Sequence, residues 1–313
     1  MTTELTVDLE SASELANAPF SRVCTVTELD SRTPSAGRYA GLIEPTWTIG
    51  DKLHGGTMVA GSAAAATEWL RRTAPDQAAM FPISASTDFL GAPVPGKVEY
   101  EVHTRKLGRQ IALIDASLVQ NGRTLVHTAL TFSYLDDAVP QYAADHACDM
   151  PAEPPADALV YDEHNPMGKL VHVARGSSVA LDPAWARFLA GEKSEPRLRL
   201  WIRPFDGDEQ DPDVAAFFAM MSADMSPPVP MNLGHFGWAP TVQLTTYLRR
   251  RPAPGWLRVI AHSREVGNRM FDEDQLVIDA SGAIVAQSRQ LALIPQPRLP
   301  AASGGTADRC GIA

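Results

Sequence analysis

Cysteine is scarce in this 313-residue chain: Cys24, Cys148 and Cys310 stand far apart, with no C-x-x-C spacing. An odd, sparse set argues against a disulfide framework and a zinc ribbon, and fits a reducing cytoplasm. No two histidines and a carboxylate share metal-ligand spacing on one element, so no metal site is expected. There is no G-x-G-x-x-G and no Walker loop, and no cofactor is expected. No apolar run approaches the length that spans a bilayer. The first twenty residues are acidic and lack the basic-then-apolar order of a signal peptide. Positive charge is also short. With 27 Lys and Arg against 37 Asp and Glu, the formal net charge is −10, which disfavours a nucleic-acid groove.

What is present suits a soluble globular protein: 45% hydrophobic and 20% charged residues. The length allows one large domain or two ordinary ones. It can bury a core without disulfides or metals. Two segments, 39–134 and 198–295, read alike. In the first, HGGTMVAGSAAAATEWLRRT is Ala-rich and free of proline, which predicts a helix over 57–72. Four stretches rich in β-branched and apolar residues follow, with Gly or Pro at each boundary. Asn121-Gly122 predicts a type I′ hairpin turn. In the second, LRLWIRPF reads as a strand. DPDVAAFFAMMSADMSPP reads as a helix capped by an aspartate and stopped by Pro227-Pro228. Its AAFFAMM run is core packing. Four strand-like stretches again follow.

Local patterns recur in order: APVPG with PAPG, KLGRQ with EVGNR, and QNGRTLVHTALTF with ASGAIVAQSRQLAL. Such order indicates internal duplication. The class is α+β, each repeat being one long helix with antiparallel strands. The expected boundaries are an N-terminal unit 1–135, a linker 136–196, a C-terminal unit 197–298 and a flexible tail 299–313. The linker is dense in Pro, Asp and Ala, and a short strand or helix is expected around 159–187.

His54-Gly55-Gly56 sits where the first helix begins. Glycines let a ligand approach the backbone. The first turn of a helix has unpaired N–H groups and the positive dipole end. Together they suit a carbonyl oxygen that gains negative charge. The plainer reading is a turn with a histidine cap. An esterase would also need a G-x-S-x-G elbow, and none is present.

The stretch WTIGDKLHGGTMVAGSAAAA resembles the start of the central helix in acyl-CoA thioesterases. STDFLGAPVPG with QNGRTLVHTALTF resembles the first half of the acyl-CoA thioesterase II family, and TVQLTTYLRRRPAPGWL with ASGAIVAQSRQLALIP its second half. The resemblance covers about 38–295, less the linker. It implies a double hotdog: two fused units joined edge to edge, with one cleft where a helix start from one half faces strands of the other. It implies an acyl-CoA or related acyl thioester as substrate. It also implies an Asp, a Thr and a Gln that position and activate water. The Gln falls on Gln290. The Asp falls on Gln243, a departure, since a glutamine cannot act as a base. The Thr falls near Arg264, beside Ser263, a second departure.

Other residues then compete for the chemistry. Asp224 is read as a carboxylate on the second helix, comparable to one that related single-unit hotdog enzymes carry and that Ala63 replaces in the first half. It would hold a water or accept its proton. Asp88 is read as the first-half mirror of Gln243, and a solvated strand-edge aspartate is the plainer reading. The expected set is Gln290, Gln243, Asp224 and Gly56 for catalysis, and His54, Gly55, Arg264 and His235 for substrate. Arg249, Arg250 and Arg251 form a cationic cluster able to meet CoA. His103, His127 and His262 read as sheet-face residues. The alternative is a non-catalytic acyl-CoA or small apolar ligand-binding protein. A hotdog dehydratase would need a paired His and Asp in its own motif. A homodimer or higher homo-oligomer fits either reading.

Overall fold

The computed structural model describes residues 17–136, 138–144, 149–162 and 164–295. Cys148, Cys310 and the expected tail lie outside these residues. In the first repeat, helix α1 (Pro19–Cys24) and strands β1 (Thr27–Thr33) and β2 (Ala36–Ile43) precede a short hairpin, β3 (Thr48–Ile49) and β4 (Lys52–Leu53). Then comes helix α2 (Gly55–Thr73). Strands β5 (Phe81–Phe89), β6 (Gly96–Lys106), β7 (Ala112–Gln120) and β8 (Arg123–Ser133) complete the repeat. The second repeat has β11 (Arg197–Pro204), α4 (Asp206–Glu209) and α5 (Pro212–Ser222). It ends with β12 (Thr241–Leu248), β13 (Leu257–His262), β14 (Met270–Ile278) and β15 (Ile284–Leu293). Between the repeats lie β9 (Leu159–Val160), α3 (Pro166–Leu170) and β10 (Ser177–Leu181).

The main strands form one antiparallel sheet in the order β1-β2-β6-β7-β8-β5-β12-β15-β14-β13-β11-β10-β9. The order reads the same outward from the β5–β12 seam through the first five strands on each side. This is the double hotdog that the resemblance implies. Even a bulge repeats: the β7–β8 register shifts between Leu118 and Val119, and the β14–β15 register between Val277 and Ile278. The stretch 136–196 is more than a crossing. Its β10 pairs with β11 along five residues and extends the sheet.

Alternation with period two puts one face of each strand under the helices. In β7, Ala112, Ile114, Ala116 and Leu118 are fully buried. Helix α2 starts earlier than the expected 57, because Gly55 and Gly56 are already helical. It packs beside α5, and its buried residues include many small ones such as Ala60, Ala63 and Ala64. Helix α5 stops at Ser222, well before Pro227, and its N-cap is Asp211. Asn121 and Gly122 both have positive φ, at 53° and 71°, as the predicted hairpin turn requires. Helix α1 ties the repeats together. Phe20 lies edge-on to Trp47 and Phe218, with ring centroids 5.1 and 5.2 Å away. The Asp208 carboxylate accepts from the Phe20 and Ser21 amides at 2.9 and 2.7 Å.

Candidate active site

The start of α2 meets the end of α5. His54 is the N-cap of α2, and its Nδ1 accepts from the Thr57 amide at 3.3 Å. Its Nε2 lies 3.0 Å from the Asp224 main-chain oxygen. A backbone amide only donates and a carbonyl only accepts. The two contacts therefore select the neutral tautomer with the proton on Nε2. Asp224 stands just past the last residue of α5, in the turn and not on the helix as the sequence reading had it. Its Oδ2 accepts from the Gly56 amide at 2.7 Å and lies 3.6 Å from His54 Nε2. The His54 and Asp224 side chains are only 4% and 9% exposed. Burial raises the Asp224 carboxyl above its ordinary range, against the opposing pull of the Gly56 amide.

The two glycines are needed for packing between repeats. A Cβ at Gly55 would sit 2.5 Å from Asp224 Oδ2 and 3.2 Å from the Phe89 ring. A Cβ at Gly56 would sit 2.4 Å from the Met221 carbonyl oxygen. The Gly56 amide, expected to face a substrate carbonyl, is thus taken by Asp224. The neighbouring Gly55 amide has no acceptor among the described residues.

A second polar group lies on the inner face of the second-repeat sheet. Ser288 Oγ donates to the Ala223 carbonyl at 2.5 Å, which ties β15 to the residue before Asp224. Two positions along the same face, Gln290 is 7% exposed, and its Oε1 accepts from Thr241 Oγ1 at 2.7 Å. Opposite Gln290 on β14 stands Glu273, fully buried. Its carboxyl accepts from the Val229 amide at 3.2 Å and from Gln275 Nε2 at 2.7 Å. Burial, reinforced by the nearby Asp224 charge, pushes Glu273 up to about 8.

Gln243 does not join this group. The β12–β15 register shifts between Thr241 and Gln243, so Thr241 pairs with inward-facing Ala292 and Gln243 with outward-facing Leu291. The extra residue at Val242 reverses the faces. Thr241, not Gln243, therefore reaches Gln290. Gln243 pairs with Asp88 across the seam, as Tyr247 pairs with Ser84. The seam pairing thus makes Asp88 its partner; the repeat's counterpart of Gln243 is Ser84. Arg264 is 68% exposed, with Nη2 3.5 Å from Asp274. Asp274 alternates with Glu273 and so faces the opposite side of the sheet. Ser263 donates to Asp272 there. His235 lies in an exposed loop with Phe236 and Trp238. Arg251 is committed to Asp213 at 2.8 Å, at the far end of the helix pair. The structure therefore brings together His54, Gly55, Gly56, Asp224 and Gln290. It leaves Gln243, Arg264 and His235 elsewhere.

Thr241, Glu273 and Gln275 escaped the sequence reading. A signal for two of them existed. In MFDEDQLVI the apolar Phe271 and Val277 share the period-two phase of Glu273 and Gln275, which assigns both polar residues to the core face.

Among the described residues no helix is long and apolar enough to cross a membrane, and no His, Cys, Asp and Glu cluster is arranged to hold a metal. The acyl-CoA thioesterase N-terminal domain family matches residues 43–133, and the acyl-CoA thioesterase C-terminal domain family matches 147–294. An uncharacterized protein of Mycobacterium tuberculosis is 37% identical over 295 residues, covering 89% of this chain and 99% of that one. A Thermobifida fusca crystal structure, provisionally described as a thioesterase II, superposes with a TM-score of 0.72 at 28% identity, over 89% of this chain and 98% of that one. The acyl-CoA thioesterase II TesB2 of Mycobacterium marinum superposes with a TM-score of 0.61 at 18% identity, over 89% and 99% of the two chains, a likeness of fold.

Proposed function

The chain belongs to the acyl-CoA thioesterase family, and from that premise we propose that it hydrolyses an acyl-CoA or related acyl thioester between its two repeats. The observation that carries this reading is the Asp224 carboxylate of the second repeat seated 2.7 Å from the Gly56 amide of the first. A carboxylate and a helix start are the two groups the reaction asks for. The thioester carbonyl oxygen would lie against the Gly55 amide, where the helix dipole favours developing negative charge. A water beside Asp224 would attack the carbonyl carbon and pass its proton to the carboxylate. Collapse of the tetrahedral adduct breaks the C–S bond, and the departing thiolate takes that proton back. Gln290 would hold the substrate from the sheet side. His54, fixed in one tautomer by Thr57 and the Asp224 carbonyl, would keep the helix start and the turn together. On this reading the enzyme acts in the cytoplasm, without metal or cofactor.

The second reading, a binding protein without turnover, draws on one observation. The helix start is closed over, and one of its amides is already engaged. A panel of acyl-CoAs of differing chain length separates the two. Release of free CoA above the uncatalysed rate supports the hydrolase. Saturable binding of an acyl-CoA with no CoA release refutes it.

A further inference from the structure

The turn after each seam strand has the same frame in both repeats but opposite chemistry. DFLGAPVPG (88–96) and YLRRRPAPG (247–255) align residue for residue. Their backbones match as well. The Leu90 amide donates to the Leu125 carbonyl at 2.9 Å, and the Arg249 amide donates to the Val285 carbonyl at 2.8 Å. Gly96 and Gly255 end the two turns with φ of 138° and 118°. Arg249, Arg250 and Arg251 therefore stand where the first repeat has Leu90, Gly91 and Ala92. The first repeat shows that the turn forms without them. The apolar turn lies at the Gly55 end of the helix pair, beside Phe89. The arginine turn lies at the other end, where Arg71 and Arg251 meet Asp213, about 24 Å away along α2.

Three adjacent cations repel one another. In a chain of net charge −10 carboxylates are plentiful, yet only Arg251 has one. Its Nη2 lies 2.8 Å from Asp213 Oδ1, and Arg71 takes Oδ2 at 2.5 Å. Both oxygens of Asp213 are thus engaged. Arg250 Nε is buried without an acceptor, and its Nη1 reaches only the Ala138 carbonyl, at 3.5 Å. Arg249 is exposed and forms no ion pair among the described residues. The cluster has an acidic border. Asp211 caps α5, Asp213 follows it, and Asp136 accepts from the Ala138 amide at 3.0 Å. Such a border repels a broad acidic surface and favours one compact anion. A guanidinium presents paired donors that match the oxygens of a phosphate.

We propose that Arg249, Arg250 and Arg251 form a non-catalytic binding site for a phosphate-rich anion, of the diphosphate kind that CoA and free adenine nucleotides share. Arg251 is held in place by Asp213, and Arg249 and Arg250 supply the uncommitted charge. The site is separate from the Gly55 end of the helices, and it stands whether or not the chain hydrolyses thioesters.

The test is isothermal titration of the whole chain with inorganic pyrophosphate, ADP and CoA at fixed ionic strength. Wild type is expected to bind all three, pyrophosphate at a single site. The double change Arg249→Ala and Arg250→Ala leaves the Asp213 clamp in place, and its thermal denaturation should match wild type. It is expected to weaken pyrophosphate and ADP by about tenfold or more, the scale for losing hydrogen bonds to a charged group. Arg249→Lys with Arg250→Lys keeps the charge without the paired donors, and is expected to restore part of the loss. CoA binding tighter than ADP by about tenfold names CoA as the source of the diphosphate, and equal affinities name the free nucleotide. CoA that the alanine variant still holds reports the Gly55 end. No binding of pyrophosphate or ADP at millimolar concentration overturns the proposal. So does a pyrophosphate affinity in the alanine variant within about twofold of wild type, a difference too small for a lost charged partner. Binding of polyglutamate in place of pyrophosphate overturns it as well, in favour of an acidic protein partner. Turnover of the alanine variant without added nucleotide is expected within about threefold of wild type, as for substitutions away from the chemistry. Failure of the hydrolase reading, seen as no CoA release from any acyl-CoA, therefore leaves these titrations as they are.

Discussion

The two repeats share strand order and even a bulge, yet they differ at the sheet positions beneath the ends of their helices. Counted back from the matching bulges, Ile114 and Leu130 in the first repeat correspond to Glu273 and Gln290 in the second. Ala116 and Thr128 likewise correspond to Gln275 and Ser288. The helices explain how the second set is tolerated. Helix α2 has 19 residues and covers its sheet with apolar side chains, whereas α5 has 11. Where α5 falls short, a turn supplies the Ala223 carbonyl, Asp224 and the Val229 amide, the polar partners an apolar helix face would not offer. The helix starts differ as well. That of α2 receives the Asp224 carboxylate. That of α5 carries Asp213, held by Arg71 at 2.5 Å and Arg251 at 2.8 Å. Burial alone would raise Asp213, but Arg251 and Arg71 outweigh it and hold it below the ordinary range. Duplication thus made two related helix-start environments, and only one has a carboxylate without a cation on it.

The sharpest way to break this comparison is to make the second repeat resemble the first. The triple change Glu273→Ile, Gln275→Ala and Gln290→Leu should leave the sheet folded. It should lower kcat by about two orders of magnitude or more, the scale for losing a polar group positioned at the reacting centre. Circular dichroism and acyl-CoA turnover read the two halves of that claim. Gly55→Ala comes next. Its methyl group would meet Asp224 Oδ2, so turnover should fall about tenfold to hundredfold, the cost of displacing a reacting group by about an ångström.

The pH dependence of stability is a smaller effect. The folded state raises Glu273 from 4.5 to about 8, and so binds that proton more tightly than the unfolded chain does. The contribution is complete below the unfolded value and is lost as pH rises through the folded one. Thermal denaturation should therefore show Tm falling across the neutral range towards alkaline pH, and Glu273→Gln should flatten the slope. Least affected should be Gln243→Ala and Arg264→Ala, both on the outer face. Steady-state kinetics of each should stay within about threefold of wild type, as substitutions away from the chemistry do.

Much of the fold was legible because its signals are local. The paired proline–glycine turns, the alternation of the strands and the alanine-rich helix all lie within short stretches of chain. His54, Gly55 and Gly56 stand out for the same reason, whereas Gln290 was picked out only through the resemblance. Gln243 was misplaced because one extra residue, Val242, reverses the strand's faces, and a bulge leaves no mark in composition. Asp224 was picked out, but its position was not. The turn that carries it is fixed by contacts with the start of α2, more than 160 residues away in sequence. Glu273 was hidden inside an acidic run whose other members, Asp272 and Asp274, do face outward with Ser263 and Arg289.

The central claim is that the working carboxylate is Asp224, at the start of α2, where no Lys or Arg is paired with it. Asn at this position keeps an oxygen to accept from the Gly56 amide but cannot take a proton. The kcat of Asp224→Asn, measured on the best acyl-CoA beside Asp213→Asn, is the direct test. The account predicts a fall of about 10²- to 10⁴-fold for the first, as for loss of a general base, and turnover close to wild type for the second. Turnover by Asp224→Asn within about threefold of wild type, or an equal loss in both variants, would contradict it.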